Sequence, residues 1–204
     1  MYRVIKISKF RTIFGEKLAN TEMFKFISLY NAEFPSMADD RIKSTEFFKY
    51  LLKERKSVSS EYGYDFGIFN LPWGNFRLDY PYSPKKNINT SRFCGPSSDR
   101  FALTEIRNVI KLYISMKNSG WRKRYLPLSV VRMTSFNNAT QYVVLGGNHR
   151  SIIGLYLGYK IALVRSHTQC FDEISYGDVN KWYHVNNNQI PNAVALEIFK
   201  SFFK

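Results

Sequence analysis

A run of five residues, Gly146-Gly147-Asn148-His149-Arg150, combines the residue types that bind phosphate. Adjacent glycines let the backbone bend sharply and approach a ligand closely. Arg150 can offer a forked pair of donors to phosphate oxygens, and His149 can donate a ring N–H. Together with the serine that follows, the run predicts a phosphate-binding turn with six contact residues: Gly146, Gly147, Asn148, His149, Arg150 and Ser151.

The residues on either side of this run indicate a strand, a turn and a helix in that order. Gln141 to Leu145 predicts a buried strand, and about Ser151 to Leu157, closed by Gly158, predicts a short helix. Because a helix N-terminus exposes unpaired N–H groups and the positive end of the helix dipole, an oxyanion is favoured at this junction. The alternative is a structural turn whose His149 and Arg150 face solvent.

The sequence also predicts the helices and strands that must position this turn. The clearest is a helix that begins near Ser97, Ser98 and Asp99 and ends at Gly120. Its apolar stripe comprises Ile106, Val109, Ile110, Tyr113 and Met116. Periodicity further predicts two basic amphipathic helices within Thr21 to Arg55, strands at Asn75 to Asp79, Leu128 to Met133 and Tyr159 to Val164, and a last helix over Pro191 to Phe203.

Two motifs in the correct order resemble a superfamily that comprises the N-terminal domain of ParB partition proteins, sulfiredoxin and the ParB-like free serine kinases. Tyr80-Pro81-Tyr82-Ser83-Pro84-Lys85 is similar to the ParB box N-P-x-Q-P-R. Gly147-Asn148-His149-Arg150 stands where ParB has G-E-R-R and sulfiredoxin has G-G-C-H-R. The match covers about Asn75 to Ser166.

The resemblance implies an α+β fold, a small mixed sheet with flanking helices. We expect a helical N-terminal extension over 1–70, the ParB/sulfiredoxin-like domain over 71–166 and a helical tail packed on it over 167–204. In the resembled fold Lys85 and Lys86 lie near the nucleotide edge, so they extend the predicted phosphate groove.

Departures from the family patterns narrow the expected chemistry. Asn148 stands where sulfiredoxin needs its cysteine, so reduction of a sulfinic acid is not expected. The kinases resemble D-G-H-H-R, and Gly146 occupies the place of their aspartate. Asp79, Asp99 and Glu105 are the acidic residues near enough in sequence to replace it, and by elimination the catalytic candidates are His149, Glu105 and Asp99. The 38 residues after Ser166 offer no clear helix-turn-helix, which disfavours centromere-type DNA binding.

The resemblance implies a phosphotransferase or nucleoside triphosphate hydrolase that binds ATP or another NTP with Mg²⁺ and acts on a small-molecule acceptor. Two alternatives stay open. One is a ParB-like nucleic-acid-binding protein or nuclease, and the other is a non-catalytic nucleotide-sensing module.

Charge and composition fit anionic partners. The chain of 204 residues carries a formal charge of +14, of which Asp65 to Thr134 contributes +8 from 12 basic and 4 acidic residues. Arg122-Lys123-Arg124 belongs to this segment and either lines the groove or is solvated loop charge. No apolar run approaches the roughly 18 residues of a membrane span, and no signal peptide is evident, so we expect no membrane partner and a cytoplasmic protein.

Metal and disulfide chemistry are not expected. Two cysteines are too few for a disulfide scaffold. His167 and Cys170, with His184 further on, have ligand-like spacing but do not complete the repeated pattern of a zinc site.

Overall fold

The computed structural model describes residues 2–12, 14–33, 37–53, 58–64, 70–75, 96–121, 127–166 and 173–204. Its strands are β1 (Tyr2–Lys6), β2 (Phe10–Arg11), β3 (Asn70–Leu71), β4 (Gly74–Asn75), β5 (Leu128–Thr134), β6 (Thr140–Gly146), β7 (Ile161–Ser166) and β8 (Glu173–Ser175). Its helices are α1 (Glu22–Glu33), α2 (Asp39–Lys43), α3 (Glu46–Leu52), α4 (Asp99–Ser119), α5 (Asn148–Tyr156), α6 (Tyr183–Asn186) and α7 (Asn192–Ser201).

The central sheet is mixed and open. Its strand order is β1-β7-β5-β6-β2, and β8 pairs with the last residues of β5. β5 and β6 form an antiparallel hairpin, β7 runs parallel to β5, and β2 runs parallel to β6. The expected α+β class with a mixed sheet is therefore confirmed.

Each face of the sheet packs against its own layer of apolar side chains. On one face, buried residues of α1, α3, α4 and α5 cover the sheet, among them Phe26, Phe48, Ile106, Val109 and Ile153. On the other face, Trp182 and the buried side of α7 pack on β5 and β6 through Ile198, Phe199 and Phe202. α5, the helix that follows the end of β6, contacts both α1 and α4 in the first layer.

The predicted central helix is confirmed as α4. The hydroxyl of Ser98 accepts a hydrogen bond from the Phe101 N–H at 3.3 Å, which caps its first turn. Gly120 ends it with φ of 68°, and its N–H donates to the Met116 carbonyl at 2.9 Å. The strands predicted at Leu128 to Met133 and Gln141 to Leu145 are confirmed as β5 and β6.

The N-terminal segment differs from the predicted helical extension. β1 pairs with β7 and β2 pairs with β6, so two N-terminal strands belong to the central sheet. The described part of Thr21 to Arg55 contains three helices in place of the two predicted. The strand partners of β1 lie about 160 positions away in the chain, and a local periodicity cannot report such pairing.

Other boundaries shift by a few residues. β7 starts at Ile161, two residues later than predicted, and Pro191 is the N-cap of α7 rather than part of its first turn. The Tyr80 to Lys85 motif and most of the strand predicted at Asn75 to Asp79 lie outside the described residues. Among the described helices, none combines the length and apolar character that a bilayer span requires.

Candidate functional site

The glycine turn forms the N-terminus of α5. Gly147 is the N-cap residue with a left-handed backbone (φ 90°, ψ 25°), and no side chain caps the helix there. The first intrahelical bond runs from the Ser151 N–H to the Gly147 carbonyl at 3.0 Å. The N–H groups of Asn148, His149 and Arg150 belong to the first turn of α5, whose donors have no acceptor within the helix. The helix starts at Asn148, three residues earlier than predicted, with Gly147 as its N-cap.

A side chain does not fit at Gly147 without a shift of its neighbours, and one at Gly146 would be tightly packed. A Cβ atom at Gly147 would lie 2.6 Å from Leu128 Cδ2, and one at Gly146 would lie 3.0 Å from Ser129 Cβ. The left-handed φ of Gly147 adds a backbone cost for any L-residue. Leu128 and Ser129 were not predicted to shape this site, because the sheet register that brings β5 against the turn cannot be seen in the sequence.

Arg150 folds back over the turn that precedes it. Its Nη2 would lie 2.8 Å and its Cζ 3.2 Å from a Cβ atom at Gly147. The guanidinium group is therefore next to the Gly147 backbone, at the positive end of the α5 dipole. A phosphate bound by first-turn amides would have this arginine beside it.

His149 contacts a buried carboxylate from another helix. Its Nε2 lies 3.3 Å from Oε1 of Glu105, with 21% of the His149 side chain and 5% of the Glu105 side chain exposed. Glu105 lies on the core-facing side of α4, between the buried residues Ala102 and Val109. The pair is ionic only when His149 is protonated. The structure thus brings together two of the three predicted catalytic residues.

The third candidate, Asp99, lies elsewhere on α4. It is exposed in the first turn, six residues before Glu105, which corresponds to about 9 Å along the helix axis. The structure therefore places Glu105, and not Asp99, beside His149.

Ser151, which was also predicted to contact phosphate, lies at the fourth position of α5. Its side chain is fully buried and its hydroxyl donates to the Asn148 carbonyl at 2.8 Å. Its backbone N–H donates to the Gly147 carbonyl. Both the hydroxyl and the N–H of Ser151 are therefore hydrogen-bonded to residues at the start of α5.

The remaining predicted contacts lie outside the described residues. These are Lys85, Lys86 and Arg122-Lys123-Arg124. The histidine and cysteine at 167 and 170 also lie outside them, whereas His184 is buried and bonds Gln189 through its Nδ1 at 2.5 Å. Within the described part of the chain, no three His, Cys, Asp or Glu residues come together as a metal site would require.

Comparison of this chain with protein-family models, with curated proteins and with solved structures finds no match in any of the three. The superfamily resemblance accordingly stays a prediction that rests on the residues of its two motifs.

Proposed function

We propose that this protein binds a nucleoside triphosphate with Mg²⁺ at the N-terminus of α5 and transfers or hydrolyses its terminal phosphate, with a small molecule as acceptor. The observation that carries this proposal is the Arg150 guanidinium group beside Gly147, at a helix N-terminus without a side-chain cap. The motif resemblance to ParB-like kinases and nucleotide-binding ParB domains points the same way.

Phosphate binding at this turn follows from backbone and side-chain donors. The N–H groups of the first helical turn and the helix dipole favour an oxyanion, and Arg150 adds a charged, planar donor group. The glycine at the N-cap leaves space for the Arg150 guanidinium group, because a Cβ atom there would lie 2.8 Å from Arg150 Nη2. Phosphoryl transfer needs mainly positioning and neutralisation of charge, which these groups supply.

The His149–Glu105 pair supports a proton-transfer role. A buried carboxylate next to an imidazole orients the ring and stabilises the imidazolium formed when the ring takes a proton. Since Nε2 faces Glu105, we assign proton exchange with the acceptor hydroxyl or water to Nδ1 of His149. Glu105 is then a positioning residue, because it acts through His149.

Mg²⁺ would enter this site with its nucleotide. The ion is commonly held by substrate phosphates, waters and one or two carboxylates rather than by a complete protein cage. Bound in that way, it would neutralise charge on the phosphates.

A thermal-shift screen tests the proposal. ATP, CTP, GTP and ADP are each added with and without Mg²⁺, because a ligand that binds only the folded state raises the unfolding temperature. We expect at least one triphosphate to raise Tm in a Mg²⁺-dependent manner. The matched variants are Arg150→Ala, which should reduce the shift, and Arg41→Ala, which removes an exposed arginine paired with Glu33 on the protein surface and should retain it. Failure of every nucleotide to shift the wild-type protein would overturn the proposal.

A further inference from the structure

Four of the six strongly exposed large apolar side chains in the described residues lie on one pair of strands. Tyr2 and Val4 of β1 are 64% and 61% exposed, and Ile161 and Leu163 of β7 are 55% and 47% exposed. Val4 stands directly opposite Leu163 in the antiparallel register, so the four side chains share one face. A contiguous exposed apolar group of this kind marks an interaction surface.

The opposite face of the same strands is part of the core. Ala162 and Val164 are buried there and Ile5 packs against them. On the exposed side, α7 covers β5 and β6, while the residues of β1 and β7 on that side stay accessible. On this face, the β5–β6 half of the sheet is covered by apolar side chains, whereas the β1–β7 half exposes its apolar side chains.

Two basic residues complete this surface at diagonally opposite corners. The register pairs Lys6 with Ile161 at one end and Arg165 with Tyr2 at the other. We call these six positions the open ribbon face: Tyr2, Val4, Lys6, Ile161, Leu163 and Arg165. Residues 2–12 and 159–166 together contain six basic and no acidic residues, so no acid of these segments neutralises the two corners.

We propose that the open ribbon face is a dimerisation surface that packs face to face on the same surface of a second copy of this chain. The two-fold axis lies between the two sheets, either parallel or perpendicular to the strands. Either axis places each corner of the face opposite a neighbouring corner of the same face in the other copy. Each cation of one copy then meets Tyr2 or Ile161 of the other, and cations never meet. The contact with Tyr2 is a cation–π interaction, and Val4 and Leu163 form the apolar centre.

The composition of the face favours a second copy over a nucleic acid. Single-stranded nucleic acids are held by aromatic platforms, and of the four apolar residues only Tyr2 is aromatic. Six positions per copy make a small interface, which predicts a weak dimer with an association midpoint on the order of 100 µM. Because each copy carries +14, salt should strengthen this dimer by screening repulsion, whereas salt weakens binding of a polyanion.

Sedimentation-velocity ultracentrifugation of nuclease-treated protein, over a concentration series that brackets this midpoint, tests the proposal. We expect a monomer–dimer equilibrium that Val4→Lys and Leu163→Lys each weaken by at least about tenfold, because each buries an ammonium group at the centre of the interface. Phe136→Lys is the matched control, since it adds the same charge at a 72% exposed apolar residue away from the ribbon, and it should dimerise like wild type.

Circular dichroism establishes which variants keep the wild-type fold. Either Val4→Lys or Leu163→Lys is sufficient for the test, provided that it keeps this fold. A wild-type protein that stays monomeric throughout the series overturns the proposal. So does a dimer that both lysine variants retain, or one that dissociates as salt is raised. If both variants misfold, the salt response of the wild-type protein decides.

Discussion

Nε2 of His149 lies 3.3 Å from Oε1 of Glu105, so the second residue of α5 meets the buried acid of α4. Neither helix alone specifies this contact, because it depends on how the two helices pack on the sheet. If His149 exchanges a proton during phosphoryl transfer, Glu105 governs how readily it does so.

We predict that Glu105→Gln lowers kcat by about tenfold to hundredfold while nucleotide affinity changes little, since the amide keeps the volume but loses the charge behind His149. Asn148→Ala is the comparison within the turn and should retain more phosphate release than Glu105→Gln. Phosphate release and nucleotide titration on the same preparations give the two quantities. Equal turnover in Glu105→Gln and wild type would remove Glu105 from the mechanism.

Gly147→Ala should destabilise the protein by about 2–4 kcal/mol, because it combines a left-handed φ with a Cβ 2.6 Å from Leu128. Gly158→Ala provides the control: its φ is +81°, and a Cβ there meets nothing within 4 Å. That variant should cost only about 1 kcal/mol. Urea denaturation of both measures the difference, and equal losses would show that Leu128 yields to the new methyl group.

Acid should destabilise the fold through His184. Burial lowers the pKa of His184 from its ordinary value of 6.5, and the hydrogen bond to Gln189 acts in the opposite direction. As the pH falls, the unfolded chain therefore binds a proton at His184 before the folded protein does. The stability that is present above pH 6.5 is lost as the pH falls through the folded-state pKa.

Urea unfolding at about pH 7.5 and pH 5.5, values on either side of the unfolded-state pKa, should show a smaller loss of stability for His184→Gln than for wild type. An equal loss in both proteins would mean that other groups govern the acid response.

The sequence predicted those elements whose signals are local. α4 has its cap at Ser98 and its stop at Gly120, and β5 and β6 contain the apolar runs Val130-Val131 and Tyr142 to Leu145, so each was recognised from its own residues. The glycine turn was likewise visible from its composition, although its helix begins at Asn148, directly after Gly147, rather than after Arg150.

The features that the sequence could not reveal depend on contacts between residues that are far apart in the chain. β1 is a five-residue edge strand whose partner β7 lies near the other end of the chain. Leu128 reaches Gly147 only through the register of the sheet. Glu105 was selected by elimination among nearby acids, and its position beside His149 required the packing of α4 on α5.

Isothermal titration calorimetry of Arg150→Ala tests the central claim most directly, using the triphosphate with Mg²⁺ that stabilises the wild-type protein most. A charge-assisted contact is worth roughly 1.5–3 kcal/mol, so affinity should fall about tenfold to hundredfold, while Tm without ligand changes little. Arg41→Ala should bind like wild type. If Arg150→Ala binds the nucleotide as tightly as wild type, the anion is not held at the N-terminus of α5 and the proposed site is contradicted.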